Sequence, residues 1–525
     1  MWIVQEVCLS GSLHFVCGHS VWAADQFERI LLLFYLLLAH RAGNFTPEDL
    51  INDYPQLDDI LLAIAIARFL NRIFSTRRTI HRPGQTRMTL FQLLAKFNVV
   101  DGITGLTEEH DMQKFRAGDA RDCCYSIIAL PGPDDPVMKH VTISYESSAQ
   151  RVFTELAEAI AVDVIDILLF SQNASKQLEA LPSWVPDWSS QLSSPYGYLD
   201  SSTPLFSSGH AKDSHIWDGG GGACVEGSIL TVTGYSVDII QRTGDYVYKV
   251  TGSEDNQPTH VSQHYFLSEI QLFCRLAREI QLDSVESPLC LDEVIWMMAT
   301  GGRGLANSIG AGRDERLGPE VKGIRLLDAA YQICRQRLER HTKSHEAVCW
   351  KLRQVDVLSP LEQRWAELKR RSGLYWGLMY YLGTGTDWEA YTFCEKFHQY
   401  WESFGPMASK AADDQQDGWN LEAEVRNEGL NASGRLGRAM DIQQGRRCFL
   451  SPKGYVGLGP LEMQVGDVVV VLKGASVPMV LRSYIAIPGG QQQYKYVGEA
   501  YCYGTMDGEV FQERARERPV LFHIV

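Results

Sequence analysis

The spacing of hydrophobic positions predicts helices in two long regions of the chain. Between residues 25 and 180 the composition suits helices, and Val152, Leu156 and Ile160 recur every four residues, which places them on one helix face. Helical periodicity returns across residues 260–404. We therefore predict a mainly helical central region.

Two other regions carry strand patterns. Residues 229–234 alternate between apolar and polar positions inside the stretch 181–245. Across 441–525 Val, Tyr, Gly and Leu dominate, with a continuous apolar run at Val468–Leu472 and turn signals such as Gly489-Gly490. Short strands and turns at this spacing are typical of a small antiparallel β barrel or sandwich. The predicted fold class is α+β.

Composition also marks the boundaries between these regions. Residues 405–440 have the low hydrophobicity of a flexible linker and are rich in Asp, Gly and Asn. The resulting regions are a short N-terminal segment (1–24), a helical region (25–180), a Trp-containing segment with a short β part (181–245), a second helical region (260–404), the linker (405–440) and a C-terminal β module (441–525).

Charge and cysteine usage limit the classes of partner and compartment. The 525 residues include 49 basic and 64 acidic side chains, and the net charge of −15 opposes binding to nucleic acid or anionic lipid. The 12 cysteines include no C-x-x-C pair, which favours a reducing compartment. The N-terminus lacks the pattern of a signal peptide, and the apolar run 30–39 is too short to cross a bilayer. We therefore predict a cytoplasmic protein without a transmembrane segment or a nucleic-acid partner.

The densest motif is the segment Leu181–Ser189, which we call the Trp strap. Its sequence is LPSWVPDWS. Because Pro186 removes an amide donor and disfavours helix before it, we predict an extended strap whose rings seal a core edge. Asp187 and Ser189 are the expected partners of the buried indole N–H groups of Trp184 and Trp188.

Charged side chains cluster at two other places. Arg121 lies between Asp119 and Asp122, where it can form bidentate ion pairs, and we interpret the cluster as a structural clamp rather than a substrate site. Arg77 and His81 belong to a basic patch that is interpreted as a solvated loop, since no aromatic residues or phosphate-binding loop accompany it.

Motifs of known enzyme classes are absent from the sequence. It contains no G-x-S-x-G elbow, no phosphate-binding lysine loop and no closely spaced set of metal ligands. Isolated side chains can still meet in space, because catalytic groups need not be neighbours in sequence. We predict no catalytic residue, no metal and no cofactor.

Four segments together resemble fungal heterokaryon-incompatibility proteins that carry a HET domain. They are WIVQEV at the N-terminus, DARDCCYSIIAL, the Trp strap, and the region that begins at Gly445 with GRRCFL. The residues that match the family pattern are Trp2, Gln5, Glu6, Asp119, Arg121, Asp122, Trp184, Pro186, Asp187, Trp188, Arg446, Arg447, Gly457, Gly459, Gly466, Asp467, Gly498, Glu499, Asp507 and Gly508. The resemblance implies a role in fungal non-self recognition, where incompatible partners trigger programmed cell death, and it implies protein partners.

The position of the first segment leads to two further expectations. In the family the W-x-x-Q-E stretch closes the HET domain, whereas here it opens the chain at Trp2. Residues 1–24 are therefore expected to be a remnant of that domain in a truncated protein without effector activity of its own. The alternative is enzymatic, because HET domains look similar to TIR domains, some of which cleave NAD with a Glu in a W-x-x-x-E arrangement. Glu6 has that spacing from Trp2.

Overall fold

The fold is taken from a computed structural model of the chain. The structure describes residues 2–28, 70–100, 118–195, 204–210, 222–248, 259–282, 291–302 and 440–525, with short gaps at 83, 85, 174–175, 179, 191, 194, 441–442, 485–490 and 514–516. Most of the predicted helical region 260–404 and nearly all of the predicted linker 405–440 lie outside these residues.

The N-terminal segment is a short helix followed by a hairpin. Helix α1 (Ile3–Leu9) buries Val4, Val7 and Cys8, while β1 (His14–Cys17) and β2 (Ser20–Ala23) pair antiparallel. One face of α1 is thereby packed against the rest of the protein.

The helical stretch 70–81 holds the end of α1. Arg77 Nη1 donates to the carbonyl oxygens of Val7 at 2.6 Å and Ser10 at 2.5 Å, and His81 Nε2 lies 2.9 Å from the carbonyl oxygen of Cys8. Cationic side chains satisfy the unpaired carbonyls at a helix C-terminus. The predicted solvated loop at Arg77 and His81 is therefore wrong: both residues are helical and tie two elements together.

The next elements carry much of the helical core. Helix α2 (Leu90–Asn98) ends in the short strand β3 (Val99–Val100), which pairs in parallel with β4 (Leu192–Ser193). Asp135 Oδ2 accepts the first amide of α2 from Leu90 at 2.6 Å. Asp135 thereby fixes the start of α2.

Two short helices precede a longer one in the chain. They are α3 (Asp122–Tyr125) and the 3₁₀ helix Pro136–Lys139, whose first turn is capped by Asp135. Helix α4 (Ala149–Ala161) begins at Ser148, whose Oγ accepts the amide of Arg151 at 3.3 Å. Val152, Leu156 and Ile160 are all buried in the core, which confirms the predicted helix face. The 3₁₀ helix Ile165–Phe170 follows, and all six of its residues are buried.

Besides the two-stranded pairs β1–β2 and β3–β4, the described strands form two larger sheets. Their strands are β5 (Cys224–Glu226), β6 (Ile229–Ile239), β7 (Arg242–Thr243), β8 (Arg446–Leu450), β9 (Val456–Pro460), β10 (Val468–Leu472), β11 (Met479–Tyr484), β12 (Gln493–Glu499), β13 (Tyr501–Cys502) and β14 (Val520–Ile524). The first sheet has the order β10–β11–β12–β14–β6–β5, and β6 also pairs with β10. This additional pairing closes five strands into a barrel, and the second sheet has the order β13–β9–β8–β7.

The closed barrel refines the predicted "antiparallel barrel or sandwich". The fold is mixed α+β, as predicted, and its C-terminal part is a barrel. One of its strand pairs, β12–β14, is parallel. The barrel also extends beyond the predicted β module 441–525, since β6 from the segment 181–245 supplies one of its five walls.

The side chains of the barrel strands divide between two apolar clusters. On β14, Leu521 is 56% exposed, whereas Phe522 is 2% exposed and pairs with the buried Val232 of β6. Phe522 and Val232 belong to the same apolar cluster as the buried residues of the helical region. This face of the barrel strands is therefore continuous with the core of the helical region.

The opposite face of the barrel strands is covered by the second sheet and a short helix. Val469, Val471, Val480 and Val497 form a second apolar cluster with Phe449 of the second sheet and with residues of α7 (Glu509–Glu513). Since both faces of β10 are buried, its sequence is a continuous apolar run rather than an alternating one.

Helices α5 (Thr259–Leu282) and α6 (Leu291–Thr300) complete the described architecture. Phe266, Ile270 and Phe273 of α5 are buried in the large cluster together with Met298 of α6. Gln281 at the end of α5 donates to the carbonyl oxygen of Gly454 at 3.1 Å, which joins α5 to the second sheet.

Candidate functional site at the junction of the Trp strap and the barrel

The Trp strap is folded into two tight turns and is not extended as predicted. Val185 N donates to Pro182 O at 3.1 Å, and Ser190 N donates to Asp187 O at 3.0 Å. Pro186 does exclude a helix, as expected, but the chain reverses on both sides of it. The two turns direct both indole rings inward, and Trp184 and Trp188 are fully buried.

The partners of the indole N–H groups also differ from the prediction. Trp184 Nε1 donates to the backbone oxygen of Ser228 at 2.9 Å, just before β6. Trp188 Nε1 has no hydrogen-bond acceptor among the described residues. Neither Asp187 nor Ser189 is the acceptor, because the Asp187 carboxylate is occupied by other donors.

Asp187 organises the turn and the segment before it. Its Oδ2 accepts the amides of Gln177 at 2.8 Å and Leu178 at 3.0 Å, and its Oδ1 accepts the amide and hydroxyl of Ser189 at 2.9 and 2.5 Å. Burial by itself would raise the pKa of Asp187, but these hydrogen bonds outweigh it and the pKa lies below its usual value. Asp187 is therefore a fixed anion within the strap.

Lys176 crosses over the strap from the preceding segment. Its Nζ donates to the carbonyl oxygens of Pro182 at 2.9 Å and Ser183 at 3.0 Å. Burial lowers the pKa of Lys176 to about 7, against the opposing effect of Asp187. This side chain is consequently close to the point of losing its charge near neutral pH.

Ser183 connects the strap to the barrel. Its amide donates to Val525 O at 3.0 Å, and its Oγ accepts the amide of Tyr496 on β12 at 2.9 Å. Asn173 Nδ2 donates to Tyr496 O at 2.7 Å, so the strap bonds the amide of Tyr496 and the helical region bonds its carbonyl oxygen. We call this set of contacts the strap–barrel junction.

Buried charges lie beside the junction. Arg446 on β8 forms an ion pair with Glu499 on β12, and its Nη1 also donates to Glu499 O at 3.1 Å. Asp166, in the 3₁₀ helix Ile165–Phe170, accepts the amide of Ser476 at 2.8 Å. Burial, followed by the charge of Glu499, raises the pKa of Tyr496 well above its usual value.

Sequence reasoning identified part of this set. Arg446 and Glu499 were among the resemblance residues, whereas Asp166, Lys176 and Ser183 were missed. One signal was available for Asp166, because it is the single charged residue in the apolar run 165–170. A charge within such a run is rarely found buried without partners.

The cluster around Arg121 joins α3 to the segment before α4. Arg121 makes a bidentate pair with Asp119, and its Nη1 donates to Tyr145 O at 2.5 Å and Ser147 O at 2.7 Å. The Tyr145 hydroxyl donates to Asp122 Oδ1 at 2.6 Å. These contacts are those of a clamp between two elements, the interpretation that the sequence favoured.

The residues of the N-terminal family segment WIVQEV lie on two sides of α1. Gln5 Nε2 donates to Tyr125 O at 2.9 Å, which connects α1 to α3. Glu6 lies on the exposed side of the helix, and Trp2 is 43% exposed. The structure thus brings Gln5 into contact with the helical core and leaves Glu6 at the surface.

The remaining resemblance residues shape the β region. Arg447 donates to the backbone oxygen of Met463. Asp467 forms a two-point ion pair with Arg482 at 2.8 and 2.9 Å and caps the turn at Gln464 with a 2.7 Å bond. Gly457 lies so close to β13 that a Cβ atom there would be 2.1 Å from Tyr501 O.

The other glycines of the family pattern lie in turns or at closely packed positions. Gly466 has φ of +96°, which favours glycine in the turn before β10. Close packing surrounds Gly459 and Gly498, and turns contain Asp507 and Gly508.

Within the described part of the chain, no group of three or more His, Cys, Asp or Glu side chains is placed to hold a metal ion. None of the helices in that part is long and apolar enough to span a membrane.

Comparison with known proteins gives the class to which this architecture corresponds. Residues 325–524 match the Het-6 beta-barrel domain. The closed barrel takes β10, β11, β12 and β14 from this match and β6 from before it, and the match also includes β8, β9 and β13 of the second sheet.

A curated relative extends the comparison to the whole chain. Over 98% of its length the chain is 24% identical to Heterokaryon incompatibility protein 6, OR allele, of Neurospora crassa, and it spans 65% of that relative's length. No solved structure matches the chain significantly. Together the domain and the relative identify the chain as similar to heterokaryon-incompatibility proteins of the HET type, which confirms the resemblance drawn from its residues.

Proposed function

We propose that this chain acts in fungal non-self recognition as a signalling or interaction protein that works in the cytoplasm through protein partners. The observation that carries the proposal is the match to a heterokaryon-incompatibility protein along 98% of the chain. A fungal incompatibility-related role follows from that relationship, while the mode of action is our inference.

The buried residues of the family pattern have structural contacts. Trp184 and Trp188 are fully buried, and Arg446 and Glu499 are paired inside the protein. Trp184 joins the strap to the residue before β6, and the ion pair joins β8 to β12. Discrimination between partners is then expected to depend on side chains outside this pattern.

A genetic experiment tests the proposal. The gene is deleted in its own fungal host, and the deletion strain and its parent are each paired with a panel of isolates while heterokaryon growth is scored. The expected result is that at least one incompatible pairing becomes compatible on deletion and returns to incompatible when residues 1–525 are restored. Unchanged growth in every pairing would refute the proposal.

Two variants connect the test to the structure. Trp184→Ala, which disrupts the strap, is expected to behave like the deletion, whereas Trp2→Ala at the exposed end of α1 serves as the matched control. Expression of the wild-type chain alone in a compatible strain adds a further arm. Growth arrest caused by this chain alone would contradict a role confined to interaction.

A further inference from the structure

The stretch 70–100 is cationic within an acidic protein. It contains six Lys or Arg residues and no Asp or Glu, whereas the chain as a whole has a net charge of −15. Three of the six, Arg77, Arg78 and Arg82, lie together with His81 at the end of the helical stretch 70–81. Positive charge concentrated on one part of an acidic protein favours a negatively charged partner there.

Helical spacing places these four side chains in two adjacent rows. Arg77 Nη1 lies 3.4 Å from His81 Nε2, and Arg82 N donates to Arg78 O at 2.9 Å, so each row spans one turn. His81 and Arg82 are exposed, and the Arg78 side chain is 59% exposed. We call this set of four residues the cationic helix end.

The first row is fixed to the end of α1. Arg77 Nη1 donates to the carbonyl oxygens of Val7 and Ser10. Leu9 lies between these two positions in the chain, and its side chain is 38% exposed. A partly exposed apolar residue is thereby held at the border of the cationic helix end.

A purely structural role accounts for the first row better than for the second. Cations stabilise the carbonyl groups at a helix C-terminus, and Arg77 does so for α1. Arg78 forms an ion pair with Glu28 but keeps most of its side chain in contact with solvent. An ion pair this exposed contributes little to stability, and the fork of a guanidinium can bind a second carboxylate. The second row is therefore available to a partner.

We propose that the cationic helix end is a docking surface for an acidic segment of a protein partner, with Leu9 as an apolar contact at its border. This inference rests on the proposed function, since it names the chemistry of the expected partner. A short acidic segment fits the surface better than nucleic acid does. The surface covers about two helical turns, whereas a long polyanion would also extend over the rest of a protein whose net charge is −15.

The test measures binding of a labelled peptide to the full chain. The probe is a fluorescein-labelled peptide of glutamates with a central leucine, and a peptide with glutamine in place of every glutamate is its control. Fluorescence anisotropy at low salt is expected to show tighter binding of the glutamate peptide. Equal affinity for the two peptides, or no binding of the glutamate peptide, would overturn the proposal.

Two double variants locate the binding. Arg78→Gln with Arg82→Gln should weaken binding of the glutamate peptide roughly fivefold, because two exposed charge contacts are lost. Arg275→Gln with Arg278→Gln makes the same change of charge on α5 and should leave the affinity unchanged. Equal weakening by both double variants would show attraction to the protein as a whole and would overturn the docking surface.

Two further arms keep the test decisive. Arg82→Gln alone leaves the pair between Arg78 and Glu28 in place, and it should weaken binding about twofold if the double variant does not fold. An unchanged affinity in that single variant would count against the proposal. Labelled single-stranded DNA is measured on the same protein, and tighter binding of DNA than of the glutamate peptide would overturn an acidic protein segment as the partner.

The pairing assay separates this inference from the proposed function. The deletion strain is restored with a gene that carries Arg78→Gln and Arg82→Gln, and its pairings are expected to stay compatible. If this gene restores incompatibility as the wild-type gene does, the docking surface is wrong. The proposed function would still stand in that case, because the deletion itself decides it.

Discussion

Ser183 and Tyr496 are 313 positions apart in sequence, and the hydroxyl oxygen of Ser183 accepts the amide of Tyr496 at 2.9 Å. The amide of Ser183 donates to Val525 at 3.0 Å, so this one residue of the Trp strap engages both β12 and the residue after β14. The strap is thereby a structural part of the barrel, and damage to it should be felt throughout the protein.

Removal of the first indole ring should destabilise the protein strongly. Trp184→Ala leaves a cavity in the core and an unpaired oxygen at Ser228, and a cost of about 3–5 kcal/mol is expected. Urea unfolding followed by circular dichroism measures it. The control Trp2→Ala affects a partly exposed ring and should cost about 0.5 kcal/mol. Comparable losses for the two variants would contradict the buried position of Trp184.

The buried ion pair should show strong coupling. Arg446→Met removes the ion-pair partner of the buried Glu499 carboxylate, so a loss of about 3–5 kcal/mol is expected. Adding Glu499→Gln to Arg446→Met should recover part of that loss, since the charge is then removed. A double-mutant cycle of unfolding free energies measures the coupling. Additive effects would show that the two side chains do not interact.

Gly457 should tolerate no side chain. A Cβ atom there would lie 2.1 Å from Tyr501 O, which is backbone and cannot move without disturbing β13. Gly457→Ala is expected to lower stability by about 1–3 kcal/mol. Gly118→Ala is the control, because nothing lies within 4 Å of its position, and its thermal midpoint should match the wild type.

Ionisation of Lys176 should make the free energy of unfolding rise with pH between pH 7 and pH 10. Burial lowers its folded-state pKa to about 7, below the usual lysine value of 10.5, so the folded protein favours the neutral amine. The contribution of this group is greatest above the unfolded pKa and is lost as the pH falls towards 7. Between pH 7 and pH 10 the folding constant should change by roughly two orders of magnitude through this group.

The measurement for Lys176 compares urea unfolding of Lys176→Met and Lys139→Met, an exposed lysine, across that pH range. Only Lys176→Met should lose the dependence. An identical pH profile in the two variants would exclude the buried-amine interpretation.

The enzymatic alternative can be tested directly. Because Glu6 lies on the exposed side of α1, we expect no nicotinamide release when the purified chain is incubated with NAD. Glu6→Gln should leave both this result and the melting temperature unchanged. Turnover by the wild type that disappears in Glu6→Gln would establish the alternative.

The sequence predicted the fold in those places where a local pattern determines the structure. The face of α4 follows from a spacing of four, and the strands after Arg446 follow from turn signals and apolar runs. The barrel's fifth wall could not be predicted in this way, because β6 pairs with partners more than 200 residues away. Long-range pairing has no signature in a local window.

The candidate site was foreseen only in part for a similar reason. Trp184 and Glu499 stand out through the family pattern, while Ser183 and Lys176 act mainly through backbone oxygens and amides. The prediction that Asp187 accepts an indole N–H was wrong, because the backbone amides of Gln177 and Leu178 bind its carboxylate instead. The prediction that Pro186 excludes a helix was correct. The turns on both sides of it were not predicted, because they depend on contacts with residues outside the segment.

The closure of the barrel by β6 and β14 has a consequence for synthesis on the ribosome. The partner β14 follows β6 almost 300 residues later in the chain, and the other partner β10 comes only shortly before β14. Apart from the short pairing with β5, the edges of β6 therefore stay unpaired until these C-terminal strands have been made. Long-range closure of this kind folds slowly and exposes unpaired strands to aggregation. Production of the protein should therefore benefit from slow translation at low temperature and from chaperones that bind nascent chains.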